Sequence, residues 1–157
     1  MPHRPVSVSR AIAAPAATVF AIVADPSRHP EIDGSGMVRA SASGPAPLQL
    51  GSTFSMRMNA SGFRYKMVNE VTELEPDRRI AWRPWAKVAG HNVAGGVTWR
   101  YEIRPTSGGC TVVETYDVTT GRASHAWALL RFPEKMAKAM AETLDRLAAL
   151  AERSGPT

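Results

Sequence analysis

The sequence predicts an α+β fold: a curved antiparallel sheet of six to seven strands gripping a long C-terminal helix, with one or two short helices after the first strand. Three patterns carry this. From Met37 to Val118 apolar residues recur mostly with period two, and Gly, Pro, Asn and Ser turns separate the runs. From Met136 onward the period changes, so that Met136, Met140, Leu144, Leu147, Ala148 and Ala151 share one face of a helix. No helical pattern lies between the strands, which excludes a parallel βαβ sheet.

Val6, Val8 and Ile12 alternate with Ser7, Ser9 and Arg10 as a first strand. Pro15 suits a first helical turn. Val19, Phe20 and Val23 follow at helical spacing, and Asp25-Pro26 ends that helix. Ser27 to His29 has room for one more turn before Pro30. A strand is expected over Met37–Ser43, closed by Gly44-Pro45-Ala46-Pro47. The next has Phe54, Met56 and Met58 on one face and Ser55, Arg57 and Asn59 on the other. Phe63–Leu74 is a full strand whose apolar parity slips near Asn69, which predicts a bulge there. Glu75-Pro76-Asp77 turns, Ile80 and Trp82 continue the sheet, and Ala89–Gly96 reads as a loop. Val97, Trp99, Tyr101 and Ile103 then alternate with polar residues. Ser107-Gly108-Gly109 makes a hairpin, and Val112, Glu114, Tyr116 and Val118 share a face of the return strand. Ser124 is an N-cap for a helix from about His125, which Pro133 should kink or split. Lys138, Glu142 and Arg146 line the wet side of the final helix as i,i+4 neighbours.

A chain of 157 residues fits a single domain, expected over residues 3–153 with a short tail at 154–157. Cys110 is the one cysteine, so no internal disulfide forms, and a cytoplasmic, reducing location fits. Met1 to Ala14 lacks the continuous apolar core of a signal peptide. No apolar run approaches membrane-spanning length, so no stable membrane insertion is expected. The net charge is +5 and the pI about 9.9. The Lys and Arg residues are scattered along the chain without a basic helix or zinc spacing, which argues against nucleic-acid binding. They read as a solvated basic surface with a weak attraction to anionic ligands or membrane surfaces.

Ala14-Pro15, Val19-Phe20 and Asp25-Pro26 come first in a series of suggestive segments. They are followed by Asn69-Glu70-Val71, then Glu75-Pro76-Asp77-Arg78-Arg79-Ile80-Ala81-Trp82. Trp99 to Glu102, Gly108-Gly109 and Glu114-Thr115-Tyr116 complete the series. In that order and spacing the chain, from Val6 to about Arg153, resembles the START-like (SRPBCC) helix-grip superfamily, in particular its bacterial polyketide cyclase/dehydrase-like branch. The superfamily includes lipid carriers, hormone receptors and aromatase/cyclases, so the resemblance implies a fold and a cavity rather than one activity. Relatives often carry Arg-Trp-Pro-x-Trp after the first helices. Here the stretch is Arg28-His29-Pro30-Glu31-Ile32, which predicts a less aromatic wall at that place.

In a helix-grip fold the concave sheet face and the long helix line the cavity. Strand parity and the helix stripe nominate Phe54, Met56, Met58, Trp82, Trp99, Tyr101, Glu114, Tyr116, Met136, Met140 and Leu144 as ligand-binding residues, with Val112 on the same face. Ala137, Ala141, Ala148 and Ala151 on the inner stripe of the helix suggest unfilled volume. Burial would raise the pKa of Glu114, and Tyr101, Tyr116 or an inward Arg is its expected partner. Glu114 and Tyr116 are therefore the candidates for acid–base catalysis of an enolisation or dehydration, set against a purely structural carboxylate. The His29/Glu31/Asp33 spacing matches no standard zinc pattern, so no metal is expected, and this stretch reads as a loop at the cavity mouth. Trp85, His91 and Trp127 are candidates for the rim. No Gly-x-Ser-x-Gly elbow or Gly-x-x-x-x-Gly-Lys loop is present, so neither a serine hydrolase nor a nucleotide cofactor is indicated.

Two functions stay open at this level. One is binding of a small hydrophobic molecule such as a lipid, a fatty acyl chain or a polyketide. The other is a polyketide aromatase/cyclase activity needing no metal or nucleotide cofactor. A homodimer or a partner-binding surface is a third, lesser reading.

Overall fold

The structure is a computed structural model that describes residues 4–39, 43–60, 62–120 and 132–155. Strand β1 (Val6–Ile12) is followed by helix α1 (Ala16–Val23), a 3-10 turn (Pro26–Arg28) and the one-turn helix α2 (His29–Ile32). Six strands follow: β2 (Thr53–Ala60), β3 (Phe63–Glu75), β4 (Arg79–Val88), β5 (His91–Gly95), β6 (Thr98–Thr106) and β7 (Gly109–Asp117). Helix α3 (Phe132–Arg153) closes the domain. The sheet runs β1-β7-β6-β4-β3-β2, with β5 pairing the far half of β4, and every pair is antiparallel. The fold is the α+β helix-grip arrangement that the sequence predicts.

Local chemistry explains the element ends. Pro15 stands at the N-cap of α1, where its missing N–H costs nothing. The Asp25 side chain accepts hydrogen bonds from the backbone N–H and hydroxyl of Ser27, which turns the chain into the 3-10 segment. Pro133 sits in the first turn of the described helix α3, a helical position that tolerates it. The expected helix from His125 lies outside the described residues.

Three expectations need correction. Met37–Ser43 is not a strand in its described part; Val38 and Ser43 make isolated bridges to Met58 and Ser55 on β2. Ala89–Gly96 is not all loop, because His91–Gly95 folds back as β5. The bulge of β3 lies at Thr72, between Val71 and Glu73, and not at Asn69. Asn69 keeps the parity of Val71 and faces inward as a buried polar residue.

The helix packs in two unlike halves. Leu144, Leu147, Ala148 and Ala151 are buried with Ile12, Ile103, Val112 and the inner side of α1, in one continuous core. Each buried leucine there stabilises by about 1.5–3 kcal/mol. Arg10 pairs with Asp145, and Glu152 accepts the Ala13 N–H, so β1 is tied along the same half. The first half of α3 contributes Met136 and Met140 to a smaller cluster with Val97, Tyr116 and Val118. There helix and sheet separate.

Candidate functional site

A cavity of about 510 Å³ lies between that first half of α3 and the concave face of β2, β3, β4, β6 and β7. Alternation along the strands explains its lining. Met56 and Met58 come from β2, and Tyr65, Met67 and Asn69 from β3. Trp82, Pro84 and Ala86 come from β4, Trp99 and Tyr101 from β6, and Glu114 and Tyr116 from β7. The helix adds Met136, Ala139, Met140 and Thr143. Met and aromatic side chains make such a wall adaptable.

Of the residues nominated from the sequence, Met56, Met58, Trp82, Trp99, Tyr101, Glu114, Tyr116, Met136 and Met140 line the cavity. Phe54, Val112 and Leu144 do not. Phe54 has the parity of Met56 but lies where α2 covers the sheet, so its ring packs edge-on against His29 and Trp82. Leu144 and Val112 fall in the solid half of the helix–sheet contact. The four alanines expected to leave volume on the inner stripe do not: Ala141 is exposed, Ala137 is only half-buried, and Ala148 and Ala151 belong to the core. The lining alanine of the helix is Ala139. Trp85 is half-buried and His91 exposed, and neither lines the cavity, while Trp127 lies outside the described residues.

The His29-to-Val38 stretch is a wall of the cavity, and the sequence reading missed most of it. His29 is not in a mouth loop. It opens α2 and is buried, its Nε2 lies 2.8 Å from the Val23 carbonyl, and its ring stacks on Trp82 at 5.3 Å. An imidazole thus stands in the aromatic layer, at the place where the resemblance predicts a less aromatic wall. Burial lowers its pKa and outweighs the Val23 contact, so the ring is neutral. Asp33 organises the following turn. One carboxylate oxygen accepts from the Ser35 N–H and hydroxyl, and the other accepts from the Val38 N–H. The Thr143 hydroxyl accepts the Gly34 N–H at 2.9 Å, and Arg146 donates to the Asp33 carbonyl at 2.7 Å. A Cβ on Gly34 would stand 2.3 Å from the Ala139 carbonyl oxygen, so only glycine permits this close seat on α3.

Glu114 and Tyr101 face each other across β6 and β7. The Tyr101 hydroxyl donates to Glu114 Oε1 at 2.8 Å, so the partner is Tyr101 and not Tyr116 or an arginine. Glu114 Oε2 is sealed from water and has no hydrogen-bond partner among the described residues. Burial pushes the Glu114 pKa up to about 8, against the lowering effect of the tyrosine bond, with the Asp33 charge adding to the rise. The carboxyl is therefore mostly protonated at neutral pH. Burial and the adjacent carboxyl push Tyr101 well above its ordinary value, and burial raises Tyr116 to about 12. Tyr116 stacks obliquely on Trp99 at 4.5 Å.

The other polar groups of the wall serve the protein. Asn69 donates to the Phe54 carbonyl, Thr143 to the Ala139 carbonyl, and the Ser35 hydroxyl accepts from the Met37 N–H. Among the described residues no group of three or more His, Cys, Asp and Glu side chains has the arrangement of a metal site. No described helix is long and apolar enough to cross a membrane.

Comparison with known proteins agrees with this architecture. The chain is 44% identical over 113 residues to the uncharacterized protein Rv0088 of Mycobacterium tuberculosis, a match covering 71% of this chain and 46% of that protein. The chain thus spans less than half the length of that relative. Among solved structures, protein CV1439 from Chromobacterium violaceum superposes with a TM-score of 0.70 at 20% identity, covering 94% of this chain and 97% of the other. The di-domain ARO/CYC StfQ from the steffimycin biosynthetic pathway superposes with a TM-score of 0.72 at 14% identity, covering 96% of this chain and 51% of that one. At these identities the structures share the fold alone. Residues 3–152 match the family described as polyketide cyclase / dehydrase and lipid transport, and to that family the chain belongs.

Proposed function

We propose that this domain binds a small, mainly apolar molecule of lipid, fatty acyl or polyketide type in the space between α3 and the sheet. The observation that carries the reading is the cavity of about 510 Å³ whose polar wall groups are largely spent on protein partners. A wall of that kind offers a ligand methionine, aromatic and aliphatic surface. Its volume suits a drug-sized molecule. Glu114 adds one polar feature. As a neutral acid it sets no fixed negative charge against the cavity, which suits an uncharged ligand.

Native mass spectrometry of purified protein, followed by extraction and identification of what it carries, tests the reading. A copurified apolar ligand, displaced by a Met58→Trp substitution, is the expected result. Absence of any bound species, together with no uptake of fluorescent fatty acyl or polyketide mimics, would overturn it.

The Glu114–Tyr101 pair also favours a second reading, a proton-transfer step on a poly-β-ketone. A carboxyl with a pKa of about 8 gives up and takes back a proton near neutrality, as a general acid–base requires. The family description and the StfQ neighbour support a chemistry of this class. Turnover of model polyketones by Glu114→Gln beside the parent protein decides it, because unchanged turnover removes Glu114 from any mechanism.

A further inference from the structure

The cations that are scattered in sequence are gathered by the strand register. On the outer face of the sheet, away from the cavity, Arg57 of β2 stands opposite Lys66 of β3, and Lys66 stands opposite Lys87 of β4. Arg39 extends the row, because its N–H donates to the Arg57 carbonyl beside the Val38–Met58 bridge. Four positive side chains thus cross four adjacent chain segments, each step about 4.8 Å. All four are exposed, and among the described residues none has a carboxylate within ion-pair distance. Arg64, two residues along β3 from Lys66, adds a fifth charge on the same face.

Like charges directly opposite one another weaken a sheet, so this row works against stability. The neighbouring part of the same face is built differently. There Arg79, Arg100 and Arg104 pair with Glu73 and Glu102. One half of the face is neutralised and the other half is left bare. Beside the bare row, Val68 and Trp85 stand opposite each other, both half-buried. Cations next to a tryptophan and an aliphatic side chain suit the headgroup layer of a bilayer, which is anionic at its surface and apolar just below. Nucleic acid fits less well, since Trp85 is the one aromatic side chain described on this face, and stacking successive bases takes several.

We propose that the outer face of β2, β3 and β4, centred on Arg39, Arg57, Lys66 and Lys87, docks reversibly on anionic membrane surfaces. The surface is independent of what the cavity holds, so its test is run on ligand-free chain and can fail without touching the cavity reading.

The full chain is sedimented with vesicles of phosphatidylcholine alone, and with vesicles of equal parts phosphatidylcholine and phosphatidylglycerol. Binding only to the anionic vesicles, weakened by added salt, is expected. Each charge near such a surface contributes about fivefold, so an Arg57→Gln/Lys66→Gln double variant should bind about thirtyfold more weakly. A Lys138→Gln/Arg153→Gln variant, which removes equal charge from α3, should bind nearly as the parent does. Thermal melting checks that both variants fold. Equal binding to both vesicle types, no binding to either, or an equal loss in the α3 variant would overturn the proposal. So would binding to a DNA duplex as tight as to the anionic vesicles at the same ionic strength.

Discussion

Replacing Glu114 by Gln should make the domain more stable, and increasingly so as the pH rises. The carboxyl titrates near 4.5 when unfolded and at about 8 in the native protein. Between those values the native state holds a proton that the unfolded chain has released. Its stability therefore falls as pH rises towards 8 and levels off above it. At about 1.36 kcal/mol per pH unit, the interval from about pH 6.5 to about 8 removes about 2 kcal/mol. Below about pH 6.5 His29 works in the opposite sense. Its native pKa is lowered, so it loses stability as pH falls below its ordinary 6.5. Tyr101, Tyr116 and Cys110 are all raised from values above this window and stay neutral within it. The amide of the Glu114→Gln variant retains the shape and accepts the Tyr101 bond without titrating. Urea unfolding followed by tryptophan fluorescence, at several pH values for both proteins, gives the difference directly. The gap should widen by about 2 kcal/mol in favour of the variant across that window. Parallel pH profiles for the two proteins would refute the burial argument.

Gly34→Ala should cost about 2 kcal/mol or more, since its Cβ would meet the Ala139 carbonyl oxygen at 2.3 Å and the Asp33–Val38 turn would lift from α3; a lowered urea midpoint at unchanged slope checks it. Met58→Trp should leave the melting temperature within a few degrees of the parent, because the new ring grows into open space, while uptake of an apolar probe is lost. Lys66→Glu places an acid between Arg57 and Lys87 and should stabilise by about 0.5–1 kcal/mol, an effect that shrinks in high salt.

The sheet and the final helix were legible because their periods are strong. Trp99, Tyr101 and Ile103 keep one parity along β6, Val112, Glu114 and Tyr116 keep one along β7, and the two strands pair across the expected hairpin. Glu114 was legible as an inward carboxyl for the same reason. What failed did so where tertiary packing overrides pattern. Phe54 and Leu144 have the right parity and the right helix face, but neither property reports how far along an element the cavity extends. His29 was hidden because a short polar stretch between prolines resembles a surface loop. Only the ring contacts with Phe54 and Trp82 identify it as part of the aromatic layer. The cationic row was hidden because Arg39, Arg57, Lys66 and Lys87 are far apart in sequence and meet only through strand register.

Asp33 links the shape of the cavity to its chemistry. Its three accepted hydrogen bonds hold the turn that walls the cavity, and its charge contributes to the rise at Glu114. An Asp33→Asn variant separates the two roles. The amide oxygen still accepts from Ser35, but the amide nitrogen cannot accept from the Val38 N–H, so the turn loses one bond at a cost of about 1 kcal/mol. The negative charge disappears as well. Glu114 should then titrate below its native value of about 8, yet remain above the ordinary carboxylate range, because burial is the larger cause of the rise. Carbon-detected NMR titration of the Glu114 carboxyl in parent and variant measures this. A midpoint that does not move would mean that burial alone protonates Glu114, and that the turn shapes the cavity without touching its acid.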